Sequence, residues 1–283
     1  MIPFTKYHGL GNDFLLVDGR GERPLARATA IAMCNRRFGI GADGVLIAEH
    51  AGPGEDAHIR MRIVNPDGTE PEMCGNGLRC FVKYAVDRLE VWSNPLRVQT
   101  GAGLRVCDWT RGADGLVDMV SVSMGPPMMD RALVPMTGDG PSTGVTLPLS
   151  EGGAPLVADG VSMGNPHAVL FGSADPDRAA SLGPQIQALP LFPEGVNVGF
   201  AEVVGPRHLR LVVYERGCGL TLACGTGACA AVAAATRRGQ LTAGDDVRVD
   251  LPGGSLAIRL APDWSDVRMT GPATLVCDGQ SWL

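Results

Sequence analysis

The alternation of apolar and polar positions predicts a chain made mainly of β-strands. Segments such as Ile59 to Val64 and Leu209 to Tyr214 are apolar and rich in β-branched residues. Each is followed by a polar loop, as is typical of a strand that ends at a turn. Phe14 to Val17 and Ala168 to Phe171 have the same character. Strands are therefore expected throughout both halves.

Helical spacing is clear at one place in each half. After Gly77 the apolar positions predict an amphipathic helix, since they recur three and four residues apart: Leu78, Phe81, Val82, Ala85, Val86 and Leu89. The run Ala228 to Ala235 is almost wholly apolar, which predicts a buried helix that ends near Arg237 to Gly239. A shorter helix is expected around Leu25 to Arg37.

The chain repeats itself at an offset of about 150 residues, which places Cys74-Gly75-Asn76-Gly77 on Cys224-Gly225-Thr226-Gly227. In both copies an apolar strand and a polar loop precede the motif. Two copies are too few for a solenoid. The repeat predicts a duplicated domain whose copies face each other across a cleft, with the boundary near Gly125-Pro126-Pro127. The stretch from Pro127 to Pro155 lacks periodicity and is expected to contain loops and strand edges.

Composition excludes several classes of protein. With 283 residues, 45% hydrophobic and 19% charged, the chain is expected to be a soluble globular protein of about two domains. No apolar run approaches the roughly 20 residues that cross a bilayer, and the first ten residues lack a signal-peptide core. The net charge of −6 disfavours non-specific binding to nucleic acid. We therefore expect no membrane and no nucleic-acid partner.

The cysteines, histidines and lysines limit the cofactor chemistry. Eight cysteines occur without any C-x-x-C pair, and the five histidines lack ligand spacing, so no metal site is expected. Most of the cysteines are expected to be small buried hydrophobic residues. Lys6 and Lys83 are the only lysines, which disfavours a pyridoxal phosphate enzyme because that cofactor needs a Schiff-base lysine.

A Cys-Gly-x-Gly motif at the start of a helix has a definite chemistry. The first helical turn has N–H groups without intrahelical partners and a partial positive charge. A cysteine there is expected to have a lowered thiol pKa, and the glycines let an anion approach the backbone. Two such motifs in facing domains would put two thiols beside one carboxylate. That arrangement suits inversion of a stereocentre, which needs a base on one face and an acid on the other.

Several motifs together resemble the diaminopimelate epimerases. They are His8-Gly9-Leu10-Gly11-Asn12-Asp13-Phe14, Asn65-Pro66-Asp67-Gly68, Met73-Cys74-Gly75-Asn76-Gly77 with Arg79-Cys80, Gly164-Asn165-Pro166-His167, Tyr214-Glu215-Arg216-Gly217 and Ala223-Cys224-Gly225-Thr226-Gly227-Ala228-Cys229. The resemblance spans residues 6 to about 235. It implies a cofactor-independent isomerase that interconverts LL- and meso-2,6-diaminopimelate in lysine and peptidoglycan precursor biosynthesis.

The resemblance also implies the architecture. The expected fold is α+β, with two pseudo-symmetric domains, each a mixed β-sheet rolled around a central α-helix. The first domain would comprise residues 1–125 with about 270–283 returning to it, and the second residues 126–269. The active site would lie in the cleft between them. A cytoplasmic homodimer is expected.

Carried over by position, Cys74 and Cys224 would be the catalytic acid/base pair. The backbone at Gly75-Asn76 and Gly225-Thr226 would hold the reacting carboxylate, and His167 would support the site. The remaining substrate contacts implied by the resemblance are Asn12, Asn65, Asn165, Asn197, Glu215 and Arg216. This chain departs from the family pattern at Gly44, where many members have glutamine, and at Cys218 and Leu220.

Two alternative functions stay open from the sequence. A hydroxyproline epimerase or a related dehydratase would share the architecture, but those enzymes typically have histidine where this chain has Asn76. A non-catalytic redox sensor would use Cys74 and Cys224 as a switchable disulfide.

Overall fold

A computed structural model describes residues 1–21 and 25–283. In chain order its elements are β1 (Ile2–Gly9), β2 (Asn12–Asp18), α1 (Arg27–Cys34), β3 (Gly44–Glu49), β4 (Ile59–Val64), α2 (Gly75–Arg88), β5 (Leu96–Thr100), β6 (Gly103–Arg111), β7 (Val117–Ser123), β8 (Val145–Glu151), β9 (Ala154–Ser162), β10 (Pro166–Phe171), α3 (Pro176–Gln187), β11 (Asn197–Gly205), β12 (His208–Glu215), β13 (Gly219–Thr221), α4 (Gly225–Arg237), β14 (Asp246–Leu251), β15 (Gly254–Leu260), β16 (Val267–Pro272) and β17 (Thr274–Ser281). The class is α+β, as the sequence predicts.

These elements form two compact units, Met1–Ser123 with Thr270–Leu283 and Met124–Met269. In the first unit, β1 pairs antiparallel with both β17 and β2. The sheet continues through β3, parallel to β2, then β4, and β5, which is parallel to β4. Antiparallel β6 and β7 complete this part of the sheet. The last strand of the chain thus builds the sheet that the first strand begins.

The second unit repeats this connectivity. β10 and β11 are parallel with α3 between them in the chain, as β2 and β3 are with α1. β12 and β14 are parallel with α4 between them, as β4 and β5 are with α2. Parallel neighbours need such a crossover, because a tight turn cannot join them. The internal repeat found in the sequence is therefore a repeat of two β–α–β crossovers.

The predicted helix after Gly77 is confirmed as α2, although it begins earlier, at Gly75. It packs against β1, β2, β3 and β7. The helix is buried on nearly every side, including Arg79 and Lys83, whereas an amphipathic pattern would leave its polar positions exposed. Lys83 forms an ion pair with Asp87, with its Nζ 3.1 Å from Asp87 Oδ2.

The alanine-rich helix is likewise confirmed as α4, which begins at Gly225 and ends at Arg237. All residues from Gly227 to Ala235 are buried. Contacts with β9, β10, β11, β12 and β15 surround it, so small side chains are needed for close packing. Gly239 follows with a φ of +72°, a conformation that suits glycine at a helix end.

Of the two shorter helices, the sequence predicts only α1. It lies inside the expected Leu25 to Arg37. The structure adds α3, whose Asp175 caps its N-terminus through the N–H of Asp177. Gly183 and Pro184 interrupt the helical pattern of α3 in the sequence. No helix within residues 1–21 and 25–283 has the length and apolar character of a membrane span.

Candidate active site

The first cysteine motif forms the N-terminus of α2. Cys74 is the N-cap residue, and its Sγ accepts the N–H of Gly77 at 3.4 Å. Gly75 and Asn76 begin the first helical turn. The N–H groups of a first turn point away from the helix rather than into its i→i−4 ladder. Asn12 Oδ1 lies 3.9 Å from Cys74 Sγ and accepts Asn76 Nδ2 at 3.4 Å. Cys74, Asn12 and Asn76 therefore form one cluster.

A buried guanidinium supports this cluster from behind. Arg79 is fully buried, and its Nη2 donates to Asn76 Oδ1 at 3.1 Å. Its Nη1 donates to the carbonyl of Gly75 at 3.4 Å and its Nε to the carbonyl of Pro272 at 3.2 Å. Arg79 thus ties the first turn of α2 to the C-terminal strands of the same unit.

Asn12 is fixed from its other side by an ion-pair cluster. Its Nδ2 donates to Asp43 Oδ2 at 2.7 Å, and Arg36 Nη2 lies 2.6 Å from Asp43 Oδ1. The same arginine pairs with Asp13, which also binds Lys6 at 2.8 Å. These cations lower the pKa of Asp13 to about 2, although its partial burial opposes the shift. Asp13 is therefore ionised at neutral pH.

Asn65 and Gly44, where many members of the family have glutamine, lie at the ends of neighbouring strands, Asn65 after β4 and Gly44 at the start of β3. Asn65 follows β4 and hydrogen-bonds to Thr69 within its own loop, with Nδ2 to Oγ1 at 2.9 Å. None of its hydrogen bonds within the described residues joins it to the Cys74 cluster. A Cβ atom at Gly44 would lie 3.3 Å from the carbonyl oxygen of Val64, closer than an ordinary contact.

The second cysteine motif repeats this arrangement at α4. Cys224 is the N-cap residue and is 4% exposed. Its Sγ lies 3.6 Å from Thr226 Oγ1, which accepts Asn165 Nδ2 at 3.4 Å. Gly227 leaves room for these side chains, because a Cβ atom would lie 3.2 Å from Cys224 Sγ and 3.1 Å from Val213, closer than an ordinary contact. Thr226 and Asn165 therefore accompany Cys224 much as Asn76 and Asn12 accompany Cys74.

The prediction of a low thiol pKa is wrong for Cys224. Burial raises the pKa of this thiol well above its ordinary value of 9.0, and the nearby Glu215 carboxylate raises it further. Hydrogen bonds from Thr226 and from the N–H of Gly227 act in the opposite direction but are smaller. Desolvation of the thiolate outweighs the helix N-terminus. Cys224 is therefore a neutral thiol at neutral pH.

His167 is buried beside this cluster in β10. Its Nε2 lies 3.1 Å from Asn165 Oδ1. Because Asn165 donates its Nδ2 to Thr226, its Oδ1 is the acceptor and His167 Nε2 carries the hydrogen. Within the described residues, His167 Nδ1 has no hydrogen-bond partner. Burial, with Arg216 adding to it, lowers the pKa of His167 to about 3, so the imidazole is neutral.

The remaining predicted residues lie around the end of β12. Asn197 is buried; its Nδ2 donates to the carbonyl of Pro166 at 3.0 Å and its Oδ1 accepts the N–H of Arg216 at 2.9 Å. The exposed Arg216 side chain donates to the carbonyl of Glu194 at 2.8 Å. Glu215 Oε1 accepts the hydroxyl of Thr221 at 2.6 Å.

Polar contacts therefore connect Asn12 and Asn76 with Cys74, and Thr226, Asn165 and His167 with Cys224; none of them connects Asn65 with either group within the described residues. Sequence reasoning missed three residues that hold these side chains: Asp43, Arg79 and Thr221. Arg79 had a signal, since it lies within a quoted motif. Asp43 had none, because its partner Asn12 is distant in the sequence. Thr221 is close to Glu215 in the sequence but lies outside every quoted motif.

Comparisons with known proteins identify the family to which the chain belongs. The family model for "Diaminopimelate epimerase" matches residues 4–129 and 160–276. The chain is 45% identical over 287 residues to a diaminopimelate epimerase of Synechococcus sp. (strain JA-3-3Ab), covering 98% of this chain and 97% of that one. It is 45% identical to the corresponding protein of Desulforudis audaxviator, covering 100% and 99%.

Solved structures support the fold alone. A hydroxyproline epimerase from Agrobacterium vitis, with bound trans-4-hydroxy-L-proline, has a TM-score of 0.69 at 18% identity, covering 99% of this chain and 90% of that one. A Bacillus anthracis phenazine biosynthesis protein has a TM-score of 0.70 at 15% identity, covering 100% and 99%. The full-length sequence similarity is much closer, and on that evidence the chain belongs to the diaminopimelate epimerase family.

Proposed function

We propose that this protein interconverts LL- and meso-2,6-diaminopimelate, with Cys74 and Cys224 as the acid/base pair. The observation that carries the proposal is the duplication of the half-site. Each cysteine is the N-cap of a buried helix, and each lies beside a side-chain cluster that includes an asparagine. Membership of the family supports the choice of substrate.

The reaction needs one base and one acid on opposite faces of the α-carbon. The raised pKa of Cys224 favours its thiol form, so this residue is suited to donate a proton. When Cys224 is the proton donor, the Cys74 thiolate removes the α-proton from one face and the Cys224 thiol protonates the opposite face. Each sulfur ends in the form that the other began with, so the reverse reaction exchanges their roles. Electrons and protons balance without an oxidant, a metal ion or a cofactor.

The first turns of α2 and α4 would stabilise the negative charge that develops on the reacting carboxylate. Their N–H groups, at Gly75-Asn76 and Gly225-Thr226, are the partial positive ends of the helices. Preorganised donors of this kind stabilise an enediolate in a site that excludes water.

The polar groups around β12 would bind the distal amino-acid end of the substrate. Arg216 suits a carboxylate because its guanidinium is planar and bidentate. Glu215 suits an ammonium group, and Asn165 and Asn197 would complete the contacts. Asn65, in the loop after β4, is proposed as a further substrate contact on family membership alone. His167, a neutral imidazole, would support Asn165 rather than exchange protons itself.

We further propose that the enzyme acts in the cytoplasm as a homodimer, in lysine and peptidoglycan precursor biosynthesis. Family membership supports the biosynthetic role. Light scattering on purified protein and fractionation of the source cells would test the oligomeric state and the location.

The experiment that tests the activity is isotope exchange in deuterated water. Purified protein is incubated with LL-diaminopimelate and, separately, with trans-4-hydroxy-L-proline. We expect deuterium at one α-carbon of diaminopimelate together with formation of the meso isomer, and no exchange with the proline derivative. Exchange with the proline derivative alone would assign the protein to the alternative epimerase class. Absence of exchange with both would contradict an epimerase function.

A further inference from the structure

The side-chain amides of Asn12 and Asn76 belong to a directional chain of hydrogen bonds with a charge at each end. Arg79 Nη2 donates to Asn76 Oδ1 at 3.1 Å, and Asn76 Nδ2 donates to Asn12 Oδ1 at 3.4 Å. Asn12 Nδ2 then donates to Asp43 Oδ2 at 2.7 Å. A guanidinium can only donate and a carboxylate can only accept. The charged ends therefore oppose rotation of either amide by 180°.

The carboxylate end is the stronger constraint on Asn12. The bond from Asn12 to Asp43 is the shortest of these three hydrogen bonds, and hydrogen bonds to charged groups are about twice as strong as neutral ones. Asp43 is itself held by Arg36 Nη2 at 2.6 Å and by the N–H of Asp13 at 3.0 Å. Its position does not depend on Asn12.

We propose that Asp43 is a positioning residue that fixes which atom Asn12 presents to the reacting group. With Nδ2 bound to Asp43, Asn12 presents its acceptor Oδ1 towards Cys74, 3.9 Å from the sulfur. An acceptor there suits the Cys74 S–H and any donor group of a bound substrate. Without Asp43 the amide can turn and present its NH₂ group. The part of this inference that concerns substrate rests on the proposed function; the orientation of the amide does not.

The test compares two carboxylates that bind the same arginine. Asp43→Ala removes the acceptor for Asn12, whereas Asp43→Asn keeps an oxygen at the same reach. Asp13→Ala is the matched control, because Asp13 pairs with Arg36 and Lys6 but its side chain makes no hydrogen bond to Asn12 within the described residues. We expect Asp43→Ala to lower kcat/KM for diaminopimelate at least about tenfold, as for loss of a hydrogen bond to a charged group.

The conservative variant Asp43→Asn distinguishes a loss of the Asn12 orientation from a general disruption of the fold. Asp43→Asn should restore kcat/KM to within about threefold of wild type, and Asp13→Ala should stay within the same range, since neither removes the acceptor. If Asp13→Ala loses as much as Asp43→Ala, the ion-pair cluster acts as a whole and the proposal is overturned. Normal activity of Asp43→Ala would overturn it as well.

A second readout needs no activity. The chain has seven asparagines, so selective ¹⁵N labelling of their side chains gives seven pairs of amide signals, and the Asn12 pair is assigned by its loss in Asn12→Asp. We expect its amide protons to exchange with water faster in Asp43→Ala than in wild type, and unchanged in Asp13→Ala. Unchanged exchange in Asp43→Ala would overturn the proposal. If the wild-type protein is inactive on diaminopimelate but the amide of Asn12 still exchanges faster in Asp43→Ala, the positioning role of Asp43 is supported and the proposed function is rejected.

Discussion

At the scale of single residues, the two cysteines differ more than their matching motifs suggest. Both are N-caps of buried helices, but Cys224 is almost fully buried beside Glu215, whereas Cys74 is partly exposed beside Asn12. A helix N-terminus lowers a thiol pKa, but loss of hydration raises it by more when the sulfur is buried. The duplicated sequence therefore supports two chemically unequal groups.

Replacing either cysteine by alanine should abolish epimerisation. Each face of the α-carbon is expected to have one thiol, so we expect Cys74→Ala and Cys224→Ala each to lose at least about 10³-fold in turnover. Cys218→Ala is the matched control, because this exposed cysteine lies in the turn between β12 and β13 and should leave turnover unchanged. Near-normal formation of meso-diaminopimelate by either of the first two variants contradicts the two-base mechanism.

His167 should make folding stability sensitive to acid. Its pKa is about 3 in the folded protein against an ordinary 6.5, so between these values the unfolded chain binds a proton that the folded chain does not. Stability then falls as the pH falls, by about 2 kcal/mol between pH 7 and pH 5. In urea titrations, the free energy of unfolding of His167→Asn should fall by about 2 kcal/mol less than that of wild type between pH 7 and pH 5. Between pH 7 and pH 8 the two free energies should vary alike. Equal losses below pH 7 would refute the assignment.

At the scale of the elements, the sequence predicts a helix where the apolar spacing continues without interruption over successive helical turns. α2 and α4 have uninterrupted apolar spacing, so both were predicted, with starts about three residues late. α3 was missed, because Gly183 and Pro184 oppose a helix locally while packing of Ala179, Leu182 and Ile186 stabilises it. Its Asp175-Pro176 start was a usable signal. Burial of Arg79 and the raised pKa of Cys224 depend on tertiary packing and could not be predicted.

Gly183 is a poor helix former that lies inside α3, where it packs closely against Tyr214 of β12. A Cβ atom at this position would lie 2.5 Å from Tyr214 Cγ and 2.6 Å from Tyr214 Cβ. Glycine therefore allows α3 to pack directly on β12. We expect Gly183→Ala to destabilise the protein by about 1–3 kcal/mol through overpacking, although alanine favours a helix by about 1 kcal/mol. The exposed Ser181→Ala in the same helix should be neutral or slightly stabilising. A stabilised Gly183→Ala in thermal unfolding contradicts this packing.

At the scale of the whole molecule, the repeat predicts more than the individual motifs do. It relates α1 to α3 and α2 to α4, since each pair connects equivalent parallel strands. The missed α3 could have been found by this correspondence alone. The C-terminal return was different: only the resemblance implied that residues 270–283 join the first domain, because strand pairing between chain ends leaves no local pattern.

The C-terminal strand should be required for the first unit but not for the second. β17 pairs with β1 at seven positions, and Asp278 binds Thr5 Oγ1 at 2.8 Å and Arg88 at 2.9 Å. Each lost hydrogen bond costs about 1 kcal/mol, so losing the strand would remove much of a typical domain's 5–15 kcal/mol. The variant that lacks residues 274–283 should therefore lose hydrogen-exchange protection in β1 and β2 and lose epimerase activity. Residues 124–269, a separate compact unit, should keep their protection. Deleting only the exposed Trp282 and Leu283, which lie beyond β17, is the control and should change neither. Equal loss of protection in both units would show that they fold as one cooperative body.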